Sequence, residues 1–319
     1  MNNDVYIKQN LTKNQKQYIV EHYATMPTDK IAERIKASKN SIHYYASYKG
    51  LVKSPYGRLT WGFVKEYRNR KEYDYKQYIN QTEELKVEEL YKSKYGRYHI
   101  NQHYFDVIDN EFKAYWLGFL YADGCVRKTI KNNKQVNSVS LSLCGEDTAH
   151  IKKFLDSLQS DANISCEKTK LNDKTYDVSR TRICNQQIVD SLIKLGCVPN
   201  KTFILTLPTF EQVPENLYRH FIRGFFDGDG HIHINIENKT INCGFTGTKN
   251  FISSLQNYLC DNIEFLSKNK IVYKNDNVCT IHWGSLIDVY RIFVYLYKDC
   301  NIFLDRKFEK FNKIFWLDT

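Results

Sequence analysis

Two aspartates, Asp123 and Asp229, each end an apolar segment of the same design. The first segment reads WLGFLYADG over residues 116–124, and the second reads IRGFFDGDG over residues 222–230. The aspartates are therefore 229 − 123 = 106 residues apart. A carboxylate at a helix C-terminus faces the negative pole of the helix dipole, which is unfavourable unless a cation lies nearby. Two matched carboxylates of this kind favour a bound divalent metal ion.

Each segment also carries small residues four positions apart. Helical spacing places such pairs on one face, where they leave a groove that lets two backbones approach closely. The residues predicted to form this helix interface are Gly118, Ala122, Gly224 and Gly228. The glycines that follow the acids, Gly124 and Gly230, suit the left-handed position that ends many helices. One such segment is typical of an ordinary buried helix, but its repetition in register favours a functional pair.

The composition is that of a globular protein with a basic surface. The 319 residues include 46 Lys and Arg against 36 Asp and Glu, which gives a net charge of +10. This charge indicates a polyanion as partner, although charge alone does not distinguish DNA from RNA or a ribosomal surface. With no run of eighteen apolar residues and no secretion signal, the sequence predicts a cytoplasmic protein without a membrane span. The nine scattered cysteines favour reduced thiols rather than a zinc site.

Residues 1–55 are predicted to form a small DNA-binding module. Three apolar patterns of helical period lie within residues 11–52, and their spacing resembles a helix-turn-helix. In that family the third helix enters the major groove. The side chains it would present to DNA are those of Lys39, Asn40, Ser41, His43, Tyr44 and Ser47. A three-helix module used only for packing is the alternative.

The rest of the chain divides into a connector and two similar halves. Residues 56–110 mix aromatic and basic side chains and are predicted to form a helical connector, with a second DNA-binding module as the alternative. Residues 111–208 and 209–319 each read as helix, hairpin, helix, hairpin, helix, which predicts an α+β fold.

A lysine follows each aspartate at the same distance. Lys201 lies 201 − 123 = 78 residues after the first acid, and Lys307 lies 307 − 229 = 78 residues after the second. The equal spacing supports an internal repeat.

The doubled motif, the strands that follow it and the late lysines together resemble a single-chain LAGLIDADG homing endonuclease over about residues 111–319. The resemblance implies two pseudo-symmetric αββαββα repeats with saddle-shaped antiparallel sheets, in a monomer whose motif helices pack at the pseudo-twofold axis. It implies a site-specific endonuclease that makes a metal-dependent double-strand break in a long, asymmetric DNA duplex.

By the same resemblance, Asp123 and Asp229 are the catalytic acids that bind Mg²⁺ or Mn²⁺, and the predicted metal site also includes Gly124 and Gly230. The sixth position of the motif differs between the copies. Tyr121 in the first copy stands against Asp227 in the second, which makes Asp227 a weaker candidate.

Lys201 and Lys307 resemble the family's basic residue beside each site. There an ammonium group would stabilise the charge that develops on the phosphate. The alternative is that both are plain surface lysines.

The strand after each acid is expected to line the DNA in the major groove. Alternation directs Ile232, Ile234 and Ile236 toward the core and the intervening side chains outward. The predicted outward residues are Cys125, Arg127, Thr129 and Lys131 in the first half and His231, His233, Asn235 and Glu237 in the second, with Lys249 as a further contact. Because the histidines lack a third ligand at suitable spacing, we prefer DNA contacts to a metal site for them. The two outward sets share no residues, which predicts an asymmetric target.

Two other functions remain as alternatives. An intron RNA maturase would use the same fold, but the N-terminal module favours duplex DNA. A sequence-specific DNA-binding regulator would have lost catalysis, but both acids are present. An intein is not expected, since the chain lacks the His-Asn pair that splicing needs, so we expect an intron-encoded or free-standing enzyme.

Overall fold

The described residues form a small helical module and two α+β repeats. The computed structural model describes residues 11–23, 28–49, 91–92, 98–131, 134–171, 174–235, 240–275 and 277–314. Most of the predicted connector, including residues 56–90, lies outside these ranges. No described helix is long and apolar enough to cross a membrane.

Three short helices form the N-terminal module: α1 (Lys13–His22), α2 (Thr28–Ile35) and α3 (Lys39–Tyr48). Thr12 begins α1 with a capping box, in which its side chain and that of Gln15 each accept from the other's backbone N–H. Ile19, Ile31 and Ile42 are fully buried and hold the three helices together in a core of their own.

The first repeat follows a two-stranded ribbon made of β1 (Tyr91–Lys92) and β2 (His99–Ile100). Its elements are α4 (Glu111–Asp123), β3 (Gly124–Lys131), β4 (Lys134–Cys144), α5 (Thr148–Ser157), β5 (Ile164–Leu171), β6 (Lys174–Ile183) and α6 (Gln186–Lys194). The strands form an antiparallel sheet in the order β3-β4-β6-β5.

The second repeat has the same plan. Its elements are α7 (Glu215–Asp229), β7 (His231–Asn235), β8 (Thr240–Gly247), α8 (Lys249–Asn262), β9 (Val272–Tyr273), β10 (Cys279–Trp283) and α9 (Leu286–Tyr297), with α10 (Asp305–Ile314) added at the end. The sheet order, β7-β8-β10-β9, is that of the first repeat. The predicted α+β architecture of two αββαββα repeats is therefore confirmed in the described residues.

The core of the first repeat begins before α4. Ile100, Phe105 and Ile108 are almost completely buried in the main hydrophobic core, and the backbone N–H of Asn101 donates to Leu158 O at 2.9 Å. Residues 98–110, which the sequence assigned to the connector, thus pack as part of this repeat.

The two motif helices, α4 and α7, pack against each other more extensively than any other pair of described helices. A Cβ atom added to Gly118 would lie 1.9 Å from Phe221 O, and one added to Gly224 would lie 1.9 Å from Tyr115 O. These two contacts are the same contact repeated, because both pairs are related by the 106-residue offset. The predicted interface glycines therefore allow backbone to touch backbone.

The last turns of the motif helices meet in the same way. A Cβ added to Gly228 would lie 2.3 Å from the Cβ of Ala122. One of these two positions can carry a methyl group, but not both, which explains why the small residues differ between the copies.

The glycines after the acids have a different role from the predicted one. Gly124 (φ −73°, ψ 141°) and Gly230 (φ −71°, ψ 154°) are extended and not left-handed. Each motif helix runs directly into its strand, so a Cβ on either glycine would lie 2.5 Å from the carbonyl oxygen of Leu120 or Phe226. The prediction of left-handed helix ends was wrong, because close approach and not backbone handedness requires glycine here.

We predict that Gly118→Ala and Gly224→Ala each lower the free energy of unfolding by at least about 2 kcal/mol, because the added methyl group would overlap a backbone carbonyl. Urea unfolding measures the effect. Gly284→Ala is the matched control, since the nearest atom to its added Cβ lies at 3.6 Å. Equal stability of all three variants would contradict the close helix contact.

Candidate active site

The two aspartates lie side by side at the ends of the motif helices. Asp123 and Asp229 are both exposed, and a Cβ on Gly228 would lie 3.3 Å from Asp123 Oδ2. Although water reaches both side chains, surrounding protein atoms desolvate them in part. This desolvation raises the pKa of Asp123 to about 6, with a further contribution from the negative charge of Asp229. Desolvation also raises the pKa of Asp229.

Lys201 approaches this pair from the first repeat. It begins a 3-10 turn (Lys201–Phe203) after α6, and its Nζ donates to Ala122 O at 2.9 Å. The side chain is half-buried, and its charge lowers the pKa of both aspartates. It thus lies at the C-terminus of α4, where a cation is favourable.

Lys307 approaches from the second repeat and is held far more firmly. Its Nζ donates to Phe226 O at 2.6 Å, Gly228 O at 2.9 Å and Gly230 O at 2.5 Å, and the residue is only 5% exposed. Burial lowers the pKa of Lys307 to about 8, while the charge of Asp227 opposes this effect. The structure brings both predicted lysines to the two acids, but in unequal settings.

The donor set at the acids fits a hard divalent cation. Two carboxylates that repel each other are available, and Mg²⁺ typically binds one or two carboxylates while water and substrate phosphate complete its octahedron. Among the described residues no group of three or more His, Cys, Asp or Glu side chains is arranged to hold a metal. A metal at Asp123 and Asp229 would therefore need further ligands besides acidic, histidine or cysteine side chains of the described residues, such as backbone oxygens, water or substrate phosphate.

The two glycines predicted at the metal site differ in their surroundings. The Gly230 carbonyl accepts from the Lys307 ammonium at 2.5 Å, which would repel a metal cation on the same oxygen. A metal bond to the Gly230 carbonyl does not fit this geometry. Gly124 pairs with Leu141 in the first sheet and stays a prediction.

Asp227 lies in the interior and not at the site surface. It is 1% exposed and accepts from Tyr297 Oη at 2.5 Å, from Tyr115 Oη at 2.8 Å and from the backbone N–H of Leu304 at 2.8 Å. Burial raises the pKa of Asp227, and the charge of Lys307 together with the surrounding hydrogen-bond donors opposes that rise. A side chain this deeply buried does not reach the surface where Asp123 and Asp229 lie.

A buried ion pair that was not predicted from the sequence lies beside Asp227. Arg223, which is completely buried, donates from Nη2 to Glu111 Oε1 at 2.6 Å and from Nε to Ile302 O at 2.9 Å. His220 accepts from Arg223 Nη1 at 2.8 Å, and burial lowers its pKa to about 2. The sequence does contain a signal for this ion pair, because Arg223 lies within an otherwise apolar motif. Leu117 occupies the equivalent position in the first copy.

The strand residues predicted to contact DNA follow the expected alternation only where each strand begins. Cys125, Arg127, Thr129 and His233 are exposed and Val126 and Ile232 are buried, but Lys128 and Ile130 are exposed as well, and Ile234 is half-buried. His231 and Asn235 are half-buried, and Lys249 is exposed at the start of α8. The side chain of Lys131, with Ile236 and Glu237, lies outside the described residues. The DNA contacts themselves stay predictions.

The third helix of the N-terminal module exposes most of its predicted reading face. Lys39, Asn40, His43 and Tyr44 are exposed, and Tyr44 is 58% accessible. Ser41 is an exception, because it is buried and its hydroxyl accepts from Ser38 Oγ at 2.8 Å within the helix cap. A DNA contact by Ser41 does not fit this geometry. The side chain of Ser47 is not among those described.

No protein-family model matches the sequence, and neither does any curated protein. The solved structures similar to this chain include the LAGLIDADG meganuclease I-CpaMI bound to uncleaved DNA, with 14% identity, a TM-score of 0.45, and 65% of this chain and 91% of that chain covered. The homing endonuclease I-WcaI bound to its DNA recognition sequence has 14% identity and a TM-score of 0.46, over 63% and 87%. The LAGLIDADG homing endonuclease I-LtrWI bound to target DNA has 15% identity and a TM-score of 0.40, over 67% and 90%. At these identities the likeness is limited to the fold.

We predict that the two aspartates reduce stability at neutral pH. The pKa of folded Asp123 is about 6 against an ordinary 3.8, so the folded state binds more protons between these pH values. The carboxylate therefore costs stability above pH 6, and this cost vanishes below pH 4. Because water screens the exposed group, we expect Asp123→Asn to gain about 1 kcal/mol at pH 8 and nothing at pH 4.

Urea unfolding without divalent ions measures this difference. Asp190→Asn is the control, because a hydrogen bond from Lys128 lowers the pKa of Asp190 and so gives the opposite sign. A loss of stability in Asp123→Asn at pH 8 would contradict the claim that the ionised Asp123 carboxylate destabilises the folded state.

Proposed function

We propose that this protein is a site-specific DNA endonuclease of the LAGLIDADG kind. In this proposal it hydrolyses one phosphodiester on each strand of a long, asymmetric duplex target with the help of Mg²⁺ or Mn²⁺. The observation that carries the proposal is the convergence of Asp123 and Asp229 at the tightly packed ends of two repeated helices. A purely structural role does not account for two exposed carboxylates that repel each other where the two motif helices end.

In this proposal the aspartates and the lysines of the site have different roles. Asp123 and Asp229 supply the carboxylate ligands for the divalent cation. Such a cation, when bound, activates water and stabilises charge on the leaving oxygen. The ammonium groups of Lys201 and Lys307 add positive charge where the phosphate would become more negative. No protein nucleophile is required for this reaction.

The surfaces beside the acids support DNA as the substrate. The strands β3 and β7 start directly from the acids, and their outward residues offer donors such as Arg127 and His233 at the surface. An arginine of this kind can contact guanine edges or phosphates in the major groove. The two strands differ in sequence, which supports an asymmetric target.

One chain supplies both halves of the paired centre, so we propose that it acts as a monomer. The contact between α4 and α7 already joins the two repeats through buried glycines. A second copy is not needed to complete the acid pair.

We expect Asp123→Asn and Asp229→Asn each to reduce double-strand cleavage by at least about a hundredfold, while DNA affinity changes little, because the acids act on the metal and not on DNA bases. The wild type is first incubated with a randomised duplex library, with Mg²⁺ or with chelator, and the cut ends are sequenced. Asp190→Asn serves as a carboxylate control outside the site.

Full cleavage by either site variant, or cleavage in chelator, would contradict the proposal. Specific duplex binding without any cutting would favour the DNA-binding regulator. Preferential binding of structured RNA would favour the maturase.

The exposed face of α3 generates a further prediction. Replacing Lys39 and Asn40 together by alanine is expected to weaken duplex affinity about tenfold and to shorten the protected footprint, because a phosphate contact and a base contact are lost. Lys13→Ala in α1 is the control for a change of charge alone. An unchanged footprint in the double variant would reject α3 as a DNA contact.

A further inference from the structure

A short segment between α9 and α10 connects the interior of the protein to the second lysine. We call residues 301–304 the strap. Asn301 donates from its backbone N–H and its Nδ2 to the carboxylate of Glu111 at 2.7 and 2.8 Å. Ile302 O accepts from Arg223, and the backbone N–H of Leu304 donates to Asp227. The strap is therefore tied to both motif helices.

Asp227 is the anchor that holds Leu304, the last residue of the strap. Tyr115 on α4 and Tyr297 on α9 both donate to its carboxylate, so three elements of the core converge on one side chain. A buried carboxylate with several donors is held firmly, because leaving any of those donors unpaired is costly. Tyr115 and Tyr297 hold the Asp227 carboxylate in place, and this carboxylate in turn fixes the position of Leu304.

Leu304 in turn sets the position of Lys307. Its carbonyl accepts from the backbone N–H groups of Lys307 at 3.0 Å and Phe308 at 3.1 Å, which forms the first turn of α10. The Lys307 ammonium has three N–H donors, and three carbonyls at the end of α7 accept from it. Lys307 therefore acts as a fixed charge that caps the second motif helix.

The equivalent part of the first repeat is built differently. Tyr121 stands where Asp227 would be, and its hydroxyl donates to Leu195 O at 2.5 Å. Among the described residues, Ala122 O is the one acceptor for the Lys201 ammonium, which leaves donors for a phosphate oxygen. Within the part of the chain that the structure describes, a buried carboxylate holds the segment leading to the lysine in the second repeat alone.

We propose that Asp227 is a positioning residue for one of the two catalytic centres only. Through Leu304 it holds Lys307 in place as the cap of α7, while the Lys201 centre does not depend on it. This inference rests on the proposed function for its effect on cleavage. The structural part of the inference, which is the immobilisation of Lys307, does not depend on the proposed function.

The first experiment tests position without requiring any DNA. Purified wild type, Asp227→Asn and Tyr297→Phe are treated briefly with an acetylating reagent, and the labelling of each lysine is read by mass spectrometry. We expect Lys307 labelling to rise about tenfold or more in Asp227→Asn and less in Tyr297→Phe, because opening of the strap exposes the amine. Lys201 should label equally in all three.

Hydrogen exchange of the peptide 300–308 accompanies the labelling. The amides of Leu304 and Lys307 are expected to lose protection about tenfold in Asp227→Asn. Ile188→Val, a variant in the buried core of the first repeat, controls for general destabilisation and should leave both readouts unchanged. If Asp227→Asn does not fold, Tyr297→Phe, which removes a single donor, carries the test.

The second experiment measures the two strands separately on a labelled target. Asp227→Asn and Lys307→Met should slow the same strand by about tenfold or more, with the other strand within about twofold, whereas Lys201→Met should slow the opposite strand. The double variant Asp227→Asn with Lys307→Met should be no slower than Lys307→Met alone, because both changes act on one group.

Unchanged labelling of Lys307 and unchanged exchange at Leu304 in both folded variants would overturn the positioning role. Equal slowing of both strands by Asp227→Asn would also overturn it. A wild type that cuts no DNA would reject the proposed function, while the labelling result would still decide whether Asp227 positions Lys307.

Discussion

The backbone contact between the two motif helices is the constraint on which the rest of the structure depends. Gly118 and Gly224 each lie against a carbonyl of the opposite helix, so the helices approach more closely than ordinary side chains allow. This closeness brings Asp123 and Asp229 together at the helix ends. The acids then share one electrostatic environment, and each strand that follows starts at a fixed place beside them.

That closeness has an electrostatic cost, which the surrounding residues offset. Two helix C-termini and two carboxylates concentrate negative charge in a small volume. Lys201 and Lys307 place positive charge on the carbonyls at these ends, and Lys307 does so from the interior. The lysines thus stabilise the folded ends of the two helices, which separates them from ordinary surface lysines.

Much of this organisation can be predicted from the sequence. The alternation of apolar residues located the strands, and the repeated acid and glycine located the centre, because both signals are local and periodic. The conformation of Gly124 and Gly230 was not predictable, since the need for glycine comes from a helix that continues straight into a strand. The burial of Ser41 and the partners of Asp227 were missed for a similar reason. Asp227 meets Tyr115 and Tyr297 from distant parts of the chain, and no local pattern shows that meeting.

The buried ion pair between the motif helices has no counterpart at the equivalent positions on the other side of the interface. Arg223 pairs with Glu111, but the position equivalent to Glu111 in the second repeat is Leu217. Two copies of the second repeat associated with each other would bury two arginines, each facing a leucine. Such an assembly would be strongly disfavoured, since an unpaired buried charge is costly. The Arg223–Glu111 ion pair therefore favours the association of the first repeat with the second over the association of the second repeat with a copy of itself.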